Sequence, residues 1–522
     1  MPKIKCSLTL RAVAWAAVFA ASTINLLTHN NYPIFRIEIG LVLLVCILMG
    51  GLCGLMHEAA RPRLSWIFTG ILVGFAVDLN TANDLLPLAA GILALVLAFF
   101  WDEVVLKFSA GGFSVSVVIQ LVSSAFFGGS LLAAAQTTPA TSSSGNDLPP
   151  IVHILLDSYL GTGGMGADPK KFGQLRHENY EFWKGHSFLL YDGAYSRHAN
   201  TANSVPHMLS FGKHRLAKTT QRVQHTSPDQ LEYFKQLHDR GYSVQATFPD
   251  FIDLCENQTV DACYPFMRSD LASIVHYQMS TIDRASTIVA TLAEMSRLTK
   301  GIFRVGNTAG FHIGLTKGTQ LYDQTKLFPI ASAHALEGFA ERASTIRSGE
   351  VHFGHFLLPH DPYAFDSNCR VRPKTQWMGE FGRDSNNALR DARYMAQMRC
   401  TMQLIDKVIA QTQRTPAGRK AIFIIHGDHG SRIVTQRPMA GEAQASDYDL
   451  AMTYSTLFAI RGPSIEPGAV YGQAAIEDLL NSFAAEQFSK APSVKGAGAS
   501  IILADEQWIP QHAAKLPEFP QR

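Results

Sequence analysis

Two short stretches hold side chains whose types and spacing suit one kind of chemistry. "NTANSVPHM", residues 200–208, offers two hydroxyls three positions apart, Thr201 and Ser204, ahead of Pro206 and His207. "GDHG", residues 427–430, sets an anionic oxygen donor, Asp428, beside an imidazole, His429, between glycines that permit a tight turn. Carboxylate and imidazole together suit a divalent cation such as zinc or manganese. A cation beside an alcohol lowers its pKa and offsets charge on a phosphoryl or sulfuryl group under attack. Two more residues can join such a centre: Asp157, which closes the run "IVHILLD", and His360, held between Pro359 and Pro362 in "LPHDP". Each has a plainer alternative, as a helix cap, a hydrogen-bonded turn or a histidine in a proline-rich loop.

These residues need a scaffold that gathers distant segments. Strand-like apolar runs fall at Ile151–Leu156, Phe188–Tyr191, Ser243–Phe248, Val351–Leu358, Ala421–Ile425 and Ser455–Ile460, with helix-length patterns such as Asp391–Gln411 between several of them. Strands alternating with helices predict an α/β domain around a largely parallel sheet. In such sheets ligands bind beyond the carboxyl ends of the strands, and Asp157, His360 and Asp428 each follow an apolar run. Residues 269–325 are less regular, and an amphipathic helix near Ile282–Leu298 is expected to pack on the domain or lie against a membrane.

The first 135 residues differ in kind. Five apolar stretches run approximately over Ala12–Thr28, Ile37–Met56, Leu64–Val77, Leu85–Trp101 and Phe113–Ala135. A spanning helix needs about 20 mostly apolar residues, so the third is short and places Arg63 and Asp78 at the interfaces. With five spans and the N-terminus inside, the inner segments hold Lys3, Lys5, Arg11, Arg61, Arg63 and Lys107, while the outer loops hold only Arg36. The excess of inner cations favours that topology and exports everything after Ala135. "QTTPATSSSGNDLPP", residues 136–150, reads as a linker. The expected organisation is a transmembrane domain over 1–135, the linker, and a catalytic domain over 151–522.

Composition agrees. The chain of 522 residues is 17% charged, below the roughly 25% of soluble domains, and its net charge of +2 excludes the basic excess of a nucleic-acid binder. Four cysteines, Cys255, Cys263, Cys369 and Cys400, fall in the exported part, an even number in an oxidising compartment. Three pairings are possible. The favoured one joins Cys255 to Cys263 across a short loop and Cys369 to Cys400, tying a loop to a helix.

Together the membrane segments, linker and exported domain resemble the alkaline phosphatase/sulfatase superfamily. Within it they look most like the membrane-bound phosphoethanolamine transferases acting on lipid A and the lipoteichoic acid synthases. The resemblance implies an alkaline phosphatase-like α/β/α sandwich. "TANSVPHM" is similar to a T-A-x-S-V-P-x-M segment whose threonine is the nucleophile, which implies Thr201 in that role and Ser204 as a supporting turn residue. "GDHG" resembles the late metal pair. Asp157, followed by Ser158, stands where those transferases carry an acidic ligand, and His360 resembles a histidine that binds a second metal or the phosphate group.

Departures narrow the likeness. The sulfatase frame C/S-x-P-x-R starts at Ser204-Val205-Pro206 but meets Met208 where arginine belongs, and only Asp157 stands in place of two adjacent aspartates. The cysteines that flank the nucleophile in the transferases are missing, with His198 and His207 near their places as candidate substrate contacts. The resemblance thus implies a divergent inner-membrane enzyme with its catalytic domain on the periplasmic side, using zinc or manganese. A phospholipid would serve as donor and a lipid or glycan as acceptor. A hydrolase of the same fold, releasing phosphate or sulfate, is the alternative.

Overall fold

The computed structural model describes residues 8–60, 64–80, 86–127, 148–213, 231–254, 259–295, 326–379, 387–441, 445–494 and 499–520. The chain divides into two units, one joining the N-terminal helices to Ser269–Lys326 and 373–375, the other holding the rest.

The described parts of the five apolar stretches lie on α1 (Leu8–His29), α2 (Ile37–Ala59), α3 (Ser65–Asp78) and α4 (Leu86–Phe127), the last being two helices that meet across a kink. Residues 128–135 of the fifth stretch lie outside the described residues. The fourth and fifth stretches share α4, whose helical geometry is interrupted at Trp101 (φ −137°, ψ 45°). Between them lies "DEVVLKFSAGG", read above as a charged inner loop. It holds no proline, and its paired glycines cost a helix only about 1 kcal/mol each. Its Asp102 is absorbed within the bundle, accepting hydrogen bonds from Ser65 Oγ at 2.6 Å and from Thr69 Oγ1. Among the described residues three helices are long and apolar enough to cross a membrane: α1, α2 and the Leu86–Val122 part of α4. α3 is a shorter apolar helix. α1 and α2 approach closely because Gly50 and Gly54 face the backbones of Ala16 and Ala12, where a Cβ would come within 2.5–2.7 Å.

The amphipathic segment forms a helix, Thr281–Met295, that packs against α2 and α1 within this unit. Arg284 Nε pairs with Glu38 Oε1 at 2.8 Å and Arg284 Nη2 donates to Glu38 Oε2 at 3.1 Å, while Tyr32 donates to Glu38 at 2.6 Å. The linker, over 136–147, lies outside the described residues.

The second unit is built on an eight-stranded sheet. Its strands are β1 (Ile151–Leu156), β2 (Leu189–Tyr195), β3 (Ser243–Pro249), β4 (Ala262–Phe266), β5 (Glu350–Phe356), β6 (Ile422–Gly427), β7 (Phe458–Arg461) and β8 (Gly468–Ala475), in the order β4-β3-β5-β1-β6-β7-β2-β8. The pairs from β4 through β6 are parallel, β7 runs against both neighbours, and β2 pairs β8 in parallel. A separate hairpin is made by β9 (Ser500–Ala504) and β10 (Pro510–Lys515). β1 and β6 are buried at every position, as strands covered on both faces must be.

Side chains alternate across a strand, so Phe353 and Phe356 lie on opposite faces. Phe353 packs on Phe234 of helix Glu232–Asp239, with ring centroids 5.1 Å apart, and Phe356 packs on Phe339 of helix Phe328–Ala343 at 5.5 Å. The result is the expected three-layer α/β core. The Phe353 face also receives Val205, Met208 and Leu209 of a short helix, labelled α5 here (Thr201–Leu209), and Leu479, Leu480 and Phe483 of helix Ile476–Ala485.

Candidate active site

β1 lies between β5 and β6, parallel to both, and this register decides what meets at its end. Leu155 stands beside His355 on one side and His426 on the other. The ladder continues one step further: Asp157 N–H donates to Phe356 O at 2.9 Å, and Asp428 N–H donates to Leu156 O at 3.1 Å. Alternation then puts Leu155 and Asp157, Phe353 and His355, and His426 and Asp428 on one face, the face covered by α5. Asp157, His355 and Asp428 each offer a ligand atom within 4.8 Å of the others, and all three are buried.

Thr201 begins α5. Asn200 caps that helix in an extended conformation, its side chain accepting from Asn203 N–H at 2.8 Å. Thr201 Oγ1 donates to Asp157 Oδ2 at 3.1 Å, and Ser158 Oγ donates to Asp157 Oδ1 at 2.9 Å. Asp428 Oδ1 accepts from Ser158 N–H at 3.0 Å and His429 N–H at 2.7 Å, while its Oδ2 is buried without a hydrogen-bond partner among the described residues. The glycines of GDHG are required by close approach. A Cβ on Gly427 would meet Thr456 Oγ1 at 2.1 Å, and one on Gly430 would meet Met452 O at 2.4 Å.

His429 Nδ1 donates to Gly430 O at 2.7 Å, which leaves the Nε2 lone pair facing Asp157 Oδ1 at 3.6 Å and Asp428 Oδ2 at 3.5 Å. Arg432 Nη2 donates toward the same Nε2 at 3.2 Å. Burial, helped by Arg432, pushes the His429 pKa down to about 3. Burial likewise takes His355 down to about 4 and raises Asp428. Neutral imidazoles are the form that ligates metals. Both ring nitrogens of His355 are buried without a hydrogen-bond partner among the described residues. Two carboxylates, two imidazoles and a hydroxyl, with orphaned acceptor atoms among them, fit a divalent cation.

Behind this set the same face carries a second histidine pair. His426 Nδ1 donates to Gly427 O at 3.0 Å, so its Nε2 accepts from His153 Nε2 at 2.7 Å, and His153 Nδ1 in turn accepts from Tyr233 O–H at 2.7 Å. One set of protons satisfies the whole chain with both imidazoles neutral. Burial lowers the pKa of His153, with His426 adding to it, and takes that of His426 to about 4.

The structure brings Thr201, Asp157, Asp428 and His429 together. His360 lies in the loop after β5, its Nδ1 against Asp361 O at 2.7 Å, and its charge bears on both His355 and His429. His207 turns to Glu477, 3.5 Å away, and packs edge-on against His198 with ring centroids 4.7 Å apart. Ser204 Oγ is buried without a hydrogen-bond partner among the described residues. The expected Cys369–Cys400 disulfide is present, joining the loop after β5 to helix Asn387–Thr412. Cys255, and with it the other pairing, lies outside the described residues.

His355 is the residue the sequence reading missed. Its signal was the alternation of "VHFGHF", which places Val351, Phe353 and His355 on one face, with the imidazole near the carboxyl end of the strand.

No protein-family model and no curated protein matches this sequence. Among solved structures the chain is similar to the C-terminal periplasmic domain of EcEptC from Escherichia coli in complex with Zn, at 11% identity and TM-score 0.40, over 72% of this chain and 94% of that one. It is also similar to BT1596, a 2-O GAG sulfatase, at 12% identity and TM-score 0.42, over 69% and 79%. A third is a protein in the alkaline phosphatase superfamily from Vibrio parahaemolyticus, at 13% identity and TM-score 0.39, over 68% and 73%.

Proposed function

We propose that this chain is a metal-dependent membrane phosphotransferase. It moves a phospholipid headgroup phosphate, of the phosphoethanolamine or phosphoglycerol kind, through a covalent intermediate on Thr201 to a lipid or glycan acceptor. The observation that carries this reading is the hydrogen bond from Thr201 Oγ1 to Asp157 inside a buried cluster of carboxylates and imidazoles.

Asp157, His355, Asp428, His429 and Thr201 would hold the cation, zinc by their donor types, with manganese as the second choice. Bound there, it supplies a Lewis acid that favours the Thr201 alkoxide and offsets charge on the transferred group. Asp157 Oδ2 orients the Thr201 hydroxyl and accepts its hydrogen. Thr201 Oγ then bonds to phosphorus, the bond from phosphorus to the diacylglycerol oxygen breaks, and the proton from Thr201 leaves on that oxygen. An acceptor hydroxyl repeats the displacement and regenerates Thr201. The N-terminus of α5, at Thr201, presents its positive dipole end to the oxyanion, and His360 supplies a further donor from the rim. Membrane anchoring in the inner membrane, with the catalytic domain on the periplasmic side, keeps the site near its lipid donor.

The test is intact-mass analysis of the full-length protein in liposomes containing a fluorescent phospholipid, with diacylglycerol release measured in parallel. An adduct of headgroup-phosphate mass in the wild type and in Ser204→Ala, absent in Thr201→Ala, is expected. An adduct that survives Thr201→Ala and disappears in Ser204→Ala overturns the assignment. Release of free headgroup phosphate at full rate without any acceptor identifies a hydrolase instead.

A further inference from the structure

The β9–β10 hairpin turns through Asp505–Ile509, where Asp505 Oδ1 accepts from the N–H groups of Gln507 and Ile509, both at 2.9 Å. Trp508 sits in this turn at φ 65°, a region large L-residues rarely adopt, and such strain gathers at functional sites. The turn reaches the nucleophile helix: Asn203 Nδ2 donates to Trp508 O at 2.9 Å. Two guanidiniums lie over the indole, Arg432 at 4.9 Å from the ring centroid and Arg437 at 3.2 Å. Tryptophan is the strongest aromatic partner for a cation, so the ring fixes both arginines.

Arg432 also belongs to the candidate active site. Its Nη2 reaches His429 Nε2 at 3.2 Å and Ala199 O, two residues before Thr201, at 3.5 Å. Where a cation takes the Nε2 lone pair, the guanidinium stands beside it with donors suited to the non-bridging oxygens of a phosphoryl group. Arg437, on the same ring, adds a second positive charge next to the first. An oxyanion is favoured in that field, and a substrate carrying its own cation close to the ester is disfavoured. A like charge about 6 Å from a partly exposed guanidinium costs from about threefold in affinity at the dielectric of bulk water to about a hundredfold at that of a protein surface, with about tenfold between the two.

We infer that Arg432, Trp508 and Arg437 form the wall that recognises the transferred oxyanion, and that this wall selects headgroups without a cation, a glycerol-type phosphoester over an ethanolamine-type one. The inference rests on the phosphotransfer reading above and narrows its substrate.

The test is calorimetric binding of glycerol phosphate and of phosphoethanolamine to the full-length zinc-loaded protein in detergent, in the Thr201→Ala background so that no adduct forms. Glycerol phosphate is expected to bind about tenfold more tightly. Arg437→Gln removes that preference, Arg437→Lys keeps it, and Arg432→Gln weakens both ligands. Equal affinities, tighter phosphoethanolamine binding, or no binding of either ligand overturns the inference. So does a preference that survives Arg437→Gln. A preference retained in the Thr201→Ala background, with no adduct on the wild-type protein in the liposome assay, removes the covalent reading and leaves the recognition wall standing.

Discussion

His355 and Asp157 project from neighbouring parallel strands onto one face of the sheet, with ligand atoms no more than 4.8 Å apart. The first imidazole of the centre therefore comes from inside a strand, one residue before its end, and its position is as rigid as the sheet itself. His360, in the loop that follows, sits at the rim.

This relationship predicts that His355→Ala lowers zinc affinity by at least about a hundredfold, beyond the range of a residue that merely supports a ligand. His360→Ala is expected to leave metal affinity within about tenfold of the wild type while slowing turnover. Chelator competition on the full-length protein measures the first, and diacylglycerol release the second. Equal loss of metal in both variants would make His360 a ligand as well and overturn its place at the rim.

Removing the cation leaves Asp157 and Asp428 facing each other in a buried site. Zinc at a hundred times its Kd should therefore raise stability by about 2.7 kcal/mol, read as a higher Tm. In Asp428→Asn that rise should vanish, and the metal-free variant should melt above the metal-free wild type because one of two close carboxylates is gone. A metal-free variant that melts lower would argue against electrostatic strain at this pair.

Much of this centre was legible in the sequence because its parts sit where strands stop. Asp157 and Asp428 each end an apolar run, and a parallel sheet has to bring such ends together. His355 was not legible because its neighbours Phe353 and Phe356 make the run look like plain core, and only the β1–β5 register shows which side it faces. The break between the fourth and fifth apolar stretches is a kink at Trp101 and not a loop, for a related reason. Asp102 looks like an interfacial charge until Ser65 and Thr69 are seen to satisfy it within the bundle. Trp508 and Arg432 meet only through the hairpin turn, which carries no periodic signal.

Glu477 predicts a pH dependence. Burial works to raise its pKa, but the hydrogen bond and charge of His207, with the charge of Arg197, outweigh that and leave it below the ordinary carboxylate value. A carboxylate depressed in the folded state stabilises the protein fully above its unfolded pKa and loses that contribution as pH falls through the folded one. The Tm of the wild type should thus fall more steeply than that of Glu477→Gln below about pH 4.5, the two curves converging in acid. Parallel curves would mean the carboxylate is not held by these partners.

The Cys369–Cys400 disulfide closes a loop with a sequence separation of 31. Loop-closure entropy for that length gives about 3–4 kcal/mol, so Cys369→Ser/Cys400→Ser should lower Tm markedly while leaving zinc affinity within about twofold, since neither sulfur touches the metal set. A loss of zinc in that double variant would show that the loop after β5 positions the site.

In the N-terminal unit, Glu38 is 1% exposed and is satisfied by Arg284 and Tyr32. Truncating one partner of a buried pair costs about 3–5 kcal/mol, mostly from the charge left behind. Arg284→Ala should accordingly loosen helix Thr281–Met295 from α2, seen as faster amide exchange over that helix in the detergent-solubilised protein. Adding Glu38→Gln removes the stranded charge, and Arg284→Ala/Glu38→Gln should recover part of the protection. Exchange that stays at wild-type rates in Arg284→Ala would mean that apolar packing alone holds the helix.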